Sequence, residues 1–335
     1  MKAITIGIDL AKTVFHVHGT ASDGTVAFSR PLRRAQMIGF FERQEPCLIG
    51  MEACGASHFW AREIARCGHE VRLMPPAYVK PYIKRGKSDA LDAAGICEAV
   101  TRPTMRFVPV KAPEQQAVLA LHRVRDLAVR QRTQTINMLR GVLAEFGIVL
   151  GRGPGHAVAF ARTPAETDLP EAARIVIADL RETLIAQHDR VERHDRELAR
   201  ISADDPAVAL LRTIPGIGPI TASALAATIG DASRFATGRD LAAWIGLTPL
   251  NRSTGGQQRL GRISRMGDRN LRRLLVIGMT SRFRQIKSHP KTEDPWAVEL
   301  VRRKPARLAT VAMANKTARI VWAVLTRGEP YRAAA

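Results

Sequence analysis

The sequence predicts an α/β domain followed by a longer region that is mainly α-helical. Short apolar runs with strand character occur before residue 110, where they alternate with helical segments. Two long segments with heptad-spaced apolar residues follow. The remainder shows helical patterns separated by loops rich in glycine and arginine. We therefore predict domains at residues 1–110, 111–205 and 206–335.

The first domain contains five predicted strands and three predicted helices. Strands are expected at 4–8, 14–20, 25–29, 47–51 and 70–74. Helices are expected at 35–43, 57–66 and 88–100. Ser57 is a candidate N-cap of the second helix, since a serine hydroxyl can accept a hydrogen bond from a free N–H there. Three strands, a helix, a strand, a helix and a strand is the order of a ribonuclease-H-like sheet.

Four acidic residues of this domain occupy positions that favour a metal site. Asp9 and Glu52 each end a predicted strand, whereas Asp89 and Asp92 are three residues apart on one helix face. Carboxylate oxygens are the ligands that Mg²⁺ prefers, and a metal pair can hold the attacking and leaving oxygens of a phosphoryl transfer. The pattern therefore predicts a site for Mg²⁺ or Mn²⁺. The alternative is that each acid caps a helix or faces water.

Two long helical segments form the predicted middle domain. The first runs from Pro113 to Gly147 and would be roughly 50 Å long at about 1.5 Å per residue. The second runs from about Glu171 to Ile201. Apolar heptad lines are predicted at Leu121, Val124, Ala128, Met138 and Val142, interrupted by Gln131 and Thr135, and at Ile177, Leu180, Leu184, Val191, Leu198 and Ile201. These lines favour a helical hairpin or coiled-coil arm, but two ordinary bundle helices fit equally well.

Charge and composition favour a nucleic-acid-binding protein. The formal net charge is +20, and the pI is about 11.0. The four cysteines form no CxxC pair, which argues against zinc and is typical of a reducing cytoplasm. Asp9 interrupts the first apolar stretch, so we expect no signal peptide, and Lys316 and Arg319 interrupt the most apolar late segment. We expect a cytoplasmic, nucleoid-associated protein without a membrane span.

A glycine-rich turn begins the last predicted domain. The sequence Pro-Gly-Ile-Gly-Pro, with Gly216 and Gly218, precedes a helix of small residues and resembles a helix-hairpin-helix. Its glycines would let backbone N–H groups approach a phosphate, and the helix N-terminus would add partial positive charge. We expect a sequence-independent contact with nucleic acid. The alternative is a tight corner between two helices without a ligand.

A Ser-Thr-Gly-Gly segment is followed by an arginine-rich run. Ser253 is the candidate nucleophile, because hydroxyl attack on DNA phosphorus would conserve the bond energy in a phosphoserine ester. This needs no ATP, and the chain has no Walker-type motif. The alternative is that Ser253 and Thr254 are ordinary turn residues. Candidate nucleic-acid contacts here are Arg252, Gly255, Gly256, Arg259, Arg262, Arg265, Arg269 and Arg272. Lys12, near Asp9, could contact the substrate backbone or lie only at the surface.

Five motifs together resemble one known family. They are GIDLAK (7–12), MEACGAS (51–57), KSDALDA (87–93), PGIGPITA (215–222) and LTPLNRSTGGQQRLGRISRMGDRNLRRLL (247–275). These segments are similar to those of the DEDD-type, bridge-RNA-guided insertion-sequence transposases of the family numbered one hundred and ten, which includes the eleven-eleven subgroup. The resemblance covers nearly the whole chain, and the last motif is its most specific part.

The resemblance implies a fold and a mechanism. It implies a RuvC-like N-terminal domain, a coiled-coil arm and a C-terminal transposase domain with a serine nucleophile. The four metal-binding acids would be Asp9, Glu52, Asp89 and Asp92, and the nucleophile would be Ser253, with Thr254 as its neighbouring alternative. It also implies a homotetramer, formed as a dimer of dimers, in which one subunit's acids work with another's serine. A structured noncoding RNA would select donor and target DNA.

Two other functions remain open. A plain metal nuclease, such as a junction resolvase, would use the four acids and a water nucleophile but would leave Ser253 without a role. A non-catalytic nucleic-acid-binding protein would use only the helix-hairpin-helix and the basic surface.

Overall fold

The computed structural model describes residues 2–84, 86, 88–163, 168–257, 259–292 and 294–332. Lys87 and Gln258, which fall within two of the motifs above, lie outside the described residues. The chain divides into two compact units, Met1–Pro113 and Glu114–Ala335.

The first unit contains a mixed five-stranded sheet. Its strands are β1 (Thr5–Asp9), β2 (Val14–Thr20), β3 (Val26–Arg33), β4 (Leu48–Glu52) and β5 (Glu70–Met74). The spatial order is β3-β2-β1-β4-β5. The first three strands pair antiparallel, whereas β1, β4 and β5 pair parallel. All five predicted strands are present, and the carboxyl ends of β1 and β4 lie side by side.

The described residues of this unit also form four α-helices: α1 (Met37–Phe41), α2 (Ser57–Arg66), α3 (Pro76–Val79) and α4 (Asp89–Val100). The predicted cap of α2 is wrong, because Ser57 is the first helical residue and its hydroxyl donates to the Cys54 carbonyl at 2.9 Å. The N-cap is Ala56, in a left-handed conformation with φ of 67°. The Ser57 hydroxyl therefore points back to the turn that precedes α2 and not to the free N–H groups of the helix.

Helix α4 packs very closely on β1 and β4 because glycines face it. A Cβ on Gly7 would lie 2.2 Å from the Ala93 carbonyl oxygen, and one on Gly50 would lie 2.8 Å from the Val100 Cβ. Both contacts are shorter than real side chains allow. The two glycines therefore let α4 lie directly on the sheet, with its first turn near the end of β1.

Three helices begin the second unit: α5 (Pro113–Glu145), α6 (Pro154–Arg162) and α7 (Glu171–Ile201). The bounds of α5 and α7 agree with the sequence prediction. Helix α6 was not predicted, because the glycines around it indicate a loop. Pro154 at its first turn and the buried Ala157, Val158 and Ala161 explain why it forms.

Helices α5 and α7 run antiparallel with a fixed register. Nη2 of Arg125 donates to Oδ2 of Asp195 at 3.2 Å, and Nη1 of Arg132 lies 3.1 Å from Nδ1 of His188. A step of seven residues towards the C-terminus of α5 thus corresponds to a step of seven residues towards the N-terminus of α7. The predicted line on α7 is buried at Ile177, Leu184, Val191 and Leu198, but Ile201 is exposed.

The predicted line on α5 is only partly correct, since Ala128 is buried and Leu121 and Val142 are half-buried. Val124 and Met138 are exposed, whereas Ile136, Leu139 and Leu143 are buried against α6 and α7. The helix carries two apolar faces, and the pattern alone does not show which one packs inside. A coiled-coil supercoil stays a prediction.

The described residues of the rest of the unit form helices and one hairpin. Its elements are α8 (Pro206–Arg212), α9 (Pro219–Ile229), α10 (Gly238–Ile245), β6 (Pro249–Asn251), β7 (Leu260–Ile263), α11 (Arg269–Ser288), α12 (Pro295–Arg303) and α13 (Ala306–Arg327). Buried α13 residues join a core with α8, α9, α10 and α11. The antiparallel β6–β7 pair was not predicted. Among the described residues, no helix has the length and hydropathy needed to cross a membrane.

Candidate functional site

Three of the four predicted acids come together in the first unit. Asp9, Asp89 and Asp92 each offer a carboxylate oxygen, and these oxygens all lie within 4.8 Å of one another. Asp9 is the last residue of β1, while Asp89 and Asp92 lie in the first turn of α4. Ser88 caps that helix, since its hydroxyl accepts the Leu91 N–H at 3.3 Å. The cap and the close packing of α4 on β1 therefore position the cluster.

Glu52 is coupled to this group but is not one of the three closest carboxylates. It ends β4, the parallel neighbour of β1. Partial burial raises the pKa of Glu52, and the charges of Asp9 and Asp92 raise it further. Burial also raises the pKa of Asp9, followed by the charges of Asp92 and Asp89. Mutual repulsion of this kind is relieved by a bound cation.

The donor set fits a hard divalent cation. All four side chains offer carboxylate oxygens, and two of the four, Asp9 and Glu52, have pKa values raised by burial and by neighbouring negative charge. Oxygen-only sites of this kind suit Mg²⁺ or Mn²⁺. The arrangement could hold such an ion against a phosphate oxygen and stabilise charge there.

Sequence reasoning missed two side chains near the acids. His16 is the cross-strand partner of Asp9, and its Nε2 lies 3.0 Å from the Ser29 hydroxyl. Burial lowers the pKa of His16, opposed by the charge of Asp89. Cys54, two residues after Glu52, has a pKa raised by burial and then by the charges of Glu52 and Asp9. Lys12 lies exposed between β1 and β2.

Ser253 lies in the second unit, at the turn of the β6–β7 hairpin. Gly255 and Gly256 have φ angles of 55° and 79°, and the Gln257 N–H donates to the Thr254 carbonyl at 3.0 Å. Two consecutive positive φ angles are the signature of a tight type I′ hairpin turn, which explains the Gly-Gly pair. Ser253 immediately precedes this four-residue turn.

The Ser253 hydroxyl is held by two neighbours. Its O–H donates to the side-chain oxygen of Asn251, and its oxygen accepts the Arg259 N–H at 3.1 Å. The Ser253 N–H also donates to Asn251 Oδ1, at 3.0 Å. Ser253 is half-buried, whereas Thr254 is exposed and has no comparable side-chain contact among the described residues. The hairpin therefore orients the Ser253 hydroxyl.

The Pro-Gly-Ile-Gly-Pro turn joins α8 to α9, as predicted. Gly216 has a φ of 86°, and its carbonyl oxygen would lie 2.2 Å from a Cβ on Gly278 of α11. Gly216 is thus required by its conformation and by packing against α11. Gly218, the N-cap of α9, has open space around it. Contact of this turn with nucleic acid stays a prediction.

The predicted arginines divide into exposed and engaged groups. Nη1 of Arg272 donates to the carbonyls of Ile245 and Met266, both at 2.7 Å, and so ties the segment before α11 to the end of α10. The others lie exposed on the hairpin, the following segment and the first turn of α11. They are Arg252, Arg259, Arg262, Arg265 and Arg269.

Both halves of the chain match known transposase families. Residues 6–148 match the DEDD transposase profile of IS110, and residues 208–294 match the profile "Transposase IS116/IS110/IS902 family". A Pseudomonas aeruginosa protein named "probable family 20 transposase" is 46% identical over 99% of both chains. The transposase for insertion sequence element IS1328 of Yersinia enterocolitica is 40% identical over 96% of this chain and 97% of its own.

A third relative is the transposase for insertion sequence element IS1111A of Coxiella burnetii. It is 36% identical over all of this chain and 93% of its own length. The matches span both compact units, and they include the acid cluster and the Ser253 hairpin. The chain therefore belongs to the IS110/IS116/IS902 family of insertion-sequence transposases, which are DNA-recombining enzymes.

Proposed function

We propose that this transposase cuts and rejoins DNA through a covalent bond between Ser253 and a DNA phosphate, with a divalent metal held by four acids. The observation that carries the proposal is the convergence of three carboxylates within 4.8 Å at the end of β1. The oriented hydroxyl of Ser253 supports the proposed covalent bond to a DNA phosphate. The proposed metal ligands are Asp9, Glu52, Asp89 and Asp92.

The proposed reaction conserves one phosphodiester bond at each step. The Ser253 oxygen bonds to phosphorus, the bond from phosphorus to the 3′ oxygen breaks, and the serine proton leaves while the 3′ oxygen gains one. A 3′ hydroxyl of the new partner strand then attacks the phosphoserine and restores the serine. A divalent cation at the acids would stabilise negative charge on the phosphate oxygens.

We also propose a guide RNA and a tetramer. The net charge of +20 supports contacts with many phosphates, as donor DNA, target DNA and a structured RNA would require. In the tetramer, the acids of one subunit would work with Ser253 of another. Sequencing the nucleic acid that copurifies after a high-salt wash tests the RNA, and light scattering of that complex tests the subunit number. DNA alone, or a dimer, would contradict these parts.

Further phosphate contacts are proposed for exposed groups of the second unit. These are Gly216, Gly218, Arg252, Gly255, Gly256, Arg259, Arg262, Arg265 and Arg269. Arg272 is the exception, since its hydrogen bonds to two carbonyls favour a role in supporting the loop.

The experiment that tests the nucleophile uses two hydroxyl variants. A DNA strand labelled at its 3′ end should migrate with the protein on a denaturing gel, while a 5′ label should appear on a free fragment. Ser253→Ala should abolish the protein-linked band, and Thr254→Ala should retain it. If Ser253→Ala keeps the band and Thr254→Ala loses it, Thr254 is the nucleophile.

The same assay separates the alternative functions. Cleavage without any protein-linked DNA would indicate a metal nuclease that uses water, an alternative that the acid cluster by itself also supports. Asp9→Asn and Asp92→Asn should abolish cleavage under either metal mechanism. Full recombination by both variants would favour a protein whose acids have no chemical role.

A further inference from the structure

A groove in the second unit lies between the β6–β7 hairpin and helix α13. Its volume is about 1090 Å³. Ile263 contributes from the hairpin side, and Leu308, Val311 and Ala312 contribute from successive turns of one α13 face. Leu308 is 54% exposed, so this face of α13 presents apolar surface to solvent. The floor of the groove is therefore apolar and open to solvent.

The rim of the groove is cationic. Arg262 and Arg265 line it on the hairpin side, and Arg307, Lys316 and Arg319 line it on the helical side. Lys316 is paired with Asp294 at 2.7 Å, but no carboxylate is among the described residues that line the groove. An apolar floor with four arginines at its edges, and no carboxylate among the described lining residues, suits a partner that is apolar on its face and negative along its edge.

The wall that carries Arg265 is rigid. Arg265 has a φ of 56°, a left-handed conformation that costs a residue other than glycine about 1 kcal/mol. Its N–H donates to the Gly246 carbonyl at 3.2 Å. A Cβ on Gly267 would lie 1.8 Å from the Trp244 carbonyl oxygen, so this segment packs tightly on the end of α10. The guanidinium of Arg265 therefore projects from a fixed backbone.

We propose that this groove binds an unpaired strand of nucleic acid, with its bases on the apolar floor and its phosphates on the arginine rim. Duplex DNA fits poorly, because paired bases cannot turn their faces to an apolar floor. Arg307 and Arg319 are twelve residues apart on α13, a rise of about 18 Å, or roughly five stacked nucleotides at 3.4 Å each. Single strands are bound without sequence preference where a positively charged groove follows the phosphates and side chains contact the base faces. In this groove Leu308, Val311 and Ala312 would contact the bases in place of the aromatic side chains usual at such sites.

The inference rests on the proposed function for the source of the strand. The two strands that lead to the Ser253 turn also line the groove. The lining residues are Pro249 of β6 and Gly261, Arg262 and Ile263 of β7. A strand released from its duplex at that turn would continue into the groove. Binding itself needs neither the serine nor the acids, so the two proposals fail in different experiments.

The test is fluorescence anisotropy of the full chain with a labelled twelve-nucleotide oligo(dT), without divalent metal. Arg307→Ala with Arg319→Ala should weaken binding at least tenfold and reduce the slope of log K against log salt by about 1.4, or 0.7 for each phosphate contact. The matched control is Arg193→Ala with Arg196→Ala, which removes the same charge from exposed positions on α7 and should change binding less than threefold. Equal losses in both pairs would overturn the groove.

A second arm tests the apolar floor. Leu308→Ser should weaken binding of oligo(dT) more than threefold but leave an abasic twelve-mer, which has phosphates and no bases, unchanged. The wild-type chain should bind the abasic strand and a blunt duplex at least tenfold more weakly than oligo(dT). Equal binding of the abasic strand would show a purely electrostatic surface. Displacement of oligo(dT) by a twelve-residue polyglutamate of equal charge would show a site for an acidic peptide. Either result would overturn the proposal.

A third arm locates the strand and separates the two proposals. Photocrosslinking of an iodouracil strand should label peptides that contain Trp296, which also lines the groove, or residues 306–323. Labels found only elsewhere would contradict the groove. The Ser253→Ala chain should bind and crosslink like the wild type. Loss of the protein-linked DNA band in that variant, with binding retained, supports both proposals. If the Ser253→Ala chain retained the protein-linked DNA band, only the proposed role of Ser253 as nucleophile would be contradicted.

Discussion

The side-chain oxygen of Asn251 accepts hydrogen bonds from both the N–H and the O–H of Ser253. A backbone N–H can only donate, so the Asn251 atom that it contacts is the oxygen and not the amide nitrogen. The Arg259 N–H occupies one lone pair of the Ser253 oxygen. The hydroxyl proton therefore points at Asn251, and one lone pair remains for attack. An amide cannot take the proton away, so the base must come from outside these contacts.

This contact predicts that Asn251→Ala slows formation of the protein-linked DNA about 10- to 100-fold at saturating DNA, because the hydroxyl loses its orientation. DNA affinity should stay within threefold of wild type. Single-turnover gels and anisotropy measure the two quantities. Asn251→Asp, which can accept the same two hydrogen bonds, should recover much of the rate but make it fall as the new carboxylate is protonated at acid pH. A wild-type rate in Asn251→Ala would contradict the orienting role.

Repulsion within the acid cluster predicts that Asp9→Asn raises the stability of the metal-free protein. Burial and two neighbouring carboxylates raise the pKa of Asp9, so its charge is disfavoured in the folded state. Removing it should stabilise the fold by on the order of 1 kcal/mol. Thermal unfolding in EDTA and in Mg²⁺ checks this: the wild type should gain stability with Mg²⁺, and Asp9→Asn should not. Glu98→Gln, on the same helix but paired with Arg102, should keep the Mg²⁺ effect.

A buried histidine predicts how the stability of the second unit depends on pH. His122 Nε2 lies 3.1 Å from the Ser223 hydroxyl, which accepts the Ser202 hydroxyl at 2.8 Å. Burial lowers the pKa of His122 from 6.5 to about 4, helped by the Arg125 charge and opposed by Asp195. The neutral ring is favoured on folding, so its stabilisation is complete above pH 6.5 and is lost as the pH falls towards 4.

The loss should amount to roughly 3 kcal/mol over that interval. Urea unfolding at pH 7.5, 5.5 and 4.5 measures it. His122→Gln should be less stable at pH 7.5 but should flatten the pH dependence. His156→Gln, at an exposed position, should keep the wild-type slope. An unchanged slope in His122→Gln would assign the acid sensitivity to other groups.

Two helical glycines predict opposite effects of the same substitution. Gly278→Ala should destabilise the protein by about 1–3 kcal/mol, because its Cβ would lie 2.2 Å from the Gly216 carbonyl oxygen. Gly141→Ala should stabilise it by about 0.5–1 kcal/mol, because nothing lies within 4 Å of its Cβ and alanine favours the helix. Thermal unfolding of both variants tests the close approach of α11 to the Gly216 turn. Equal shifts would contradict it.

The acid cluster could be predicted because its signals are local. A carboxylate at a strand end and two acids three residues apart on a helix follow directly from the periods of strands and helices. Their meeting depends on Gly7 and Gly50, which let α4 lie on the sheet. The position of His16 beside Asp9 could not be predicted, because it depends on the register between β1 and β2. The sequence of one strand does not determine that register.

The parts that could not be predicted depend on tertiary contacts. Helix α6 forms where glycines indicate a loop, because its small apolar face completes the packing of α5 and α7. The exposure of Val124 and Met138 shows that heptad spacing cannot choose between two apolar faces of one helix. The β6–β7 hairpin is short and exposed, so its strands carry no burial pattern, and only the Gly-Gly pair marked its turn.

The contacts Arg125–Asp195 and Arg132–His188 are seven residues apart on both α5 and α7, so the lengths of the two helices are coupled. Removing or adding one heptad in both helices would keep the remaining contacts between α5 and α7 in register. It would change the length of each helix by about 10 Å. A single-residue insertion in either helix would instead turn charged side chains into the apolar seam. Natural variation in the length of α5 and α7 should therefore come in whole heptads, added to both helices together.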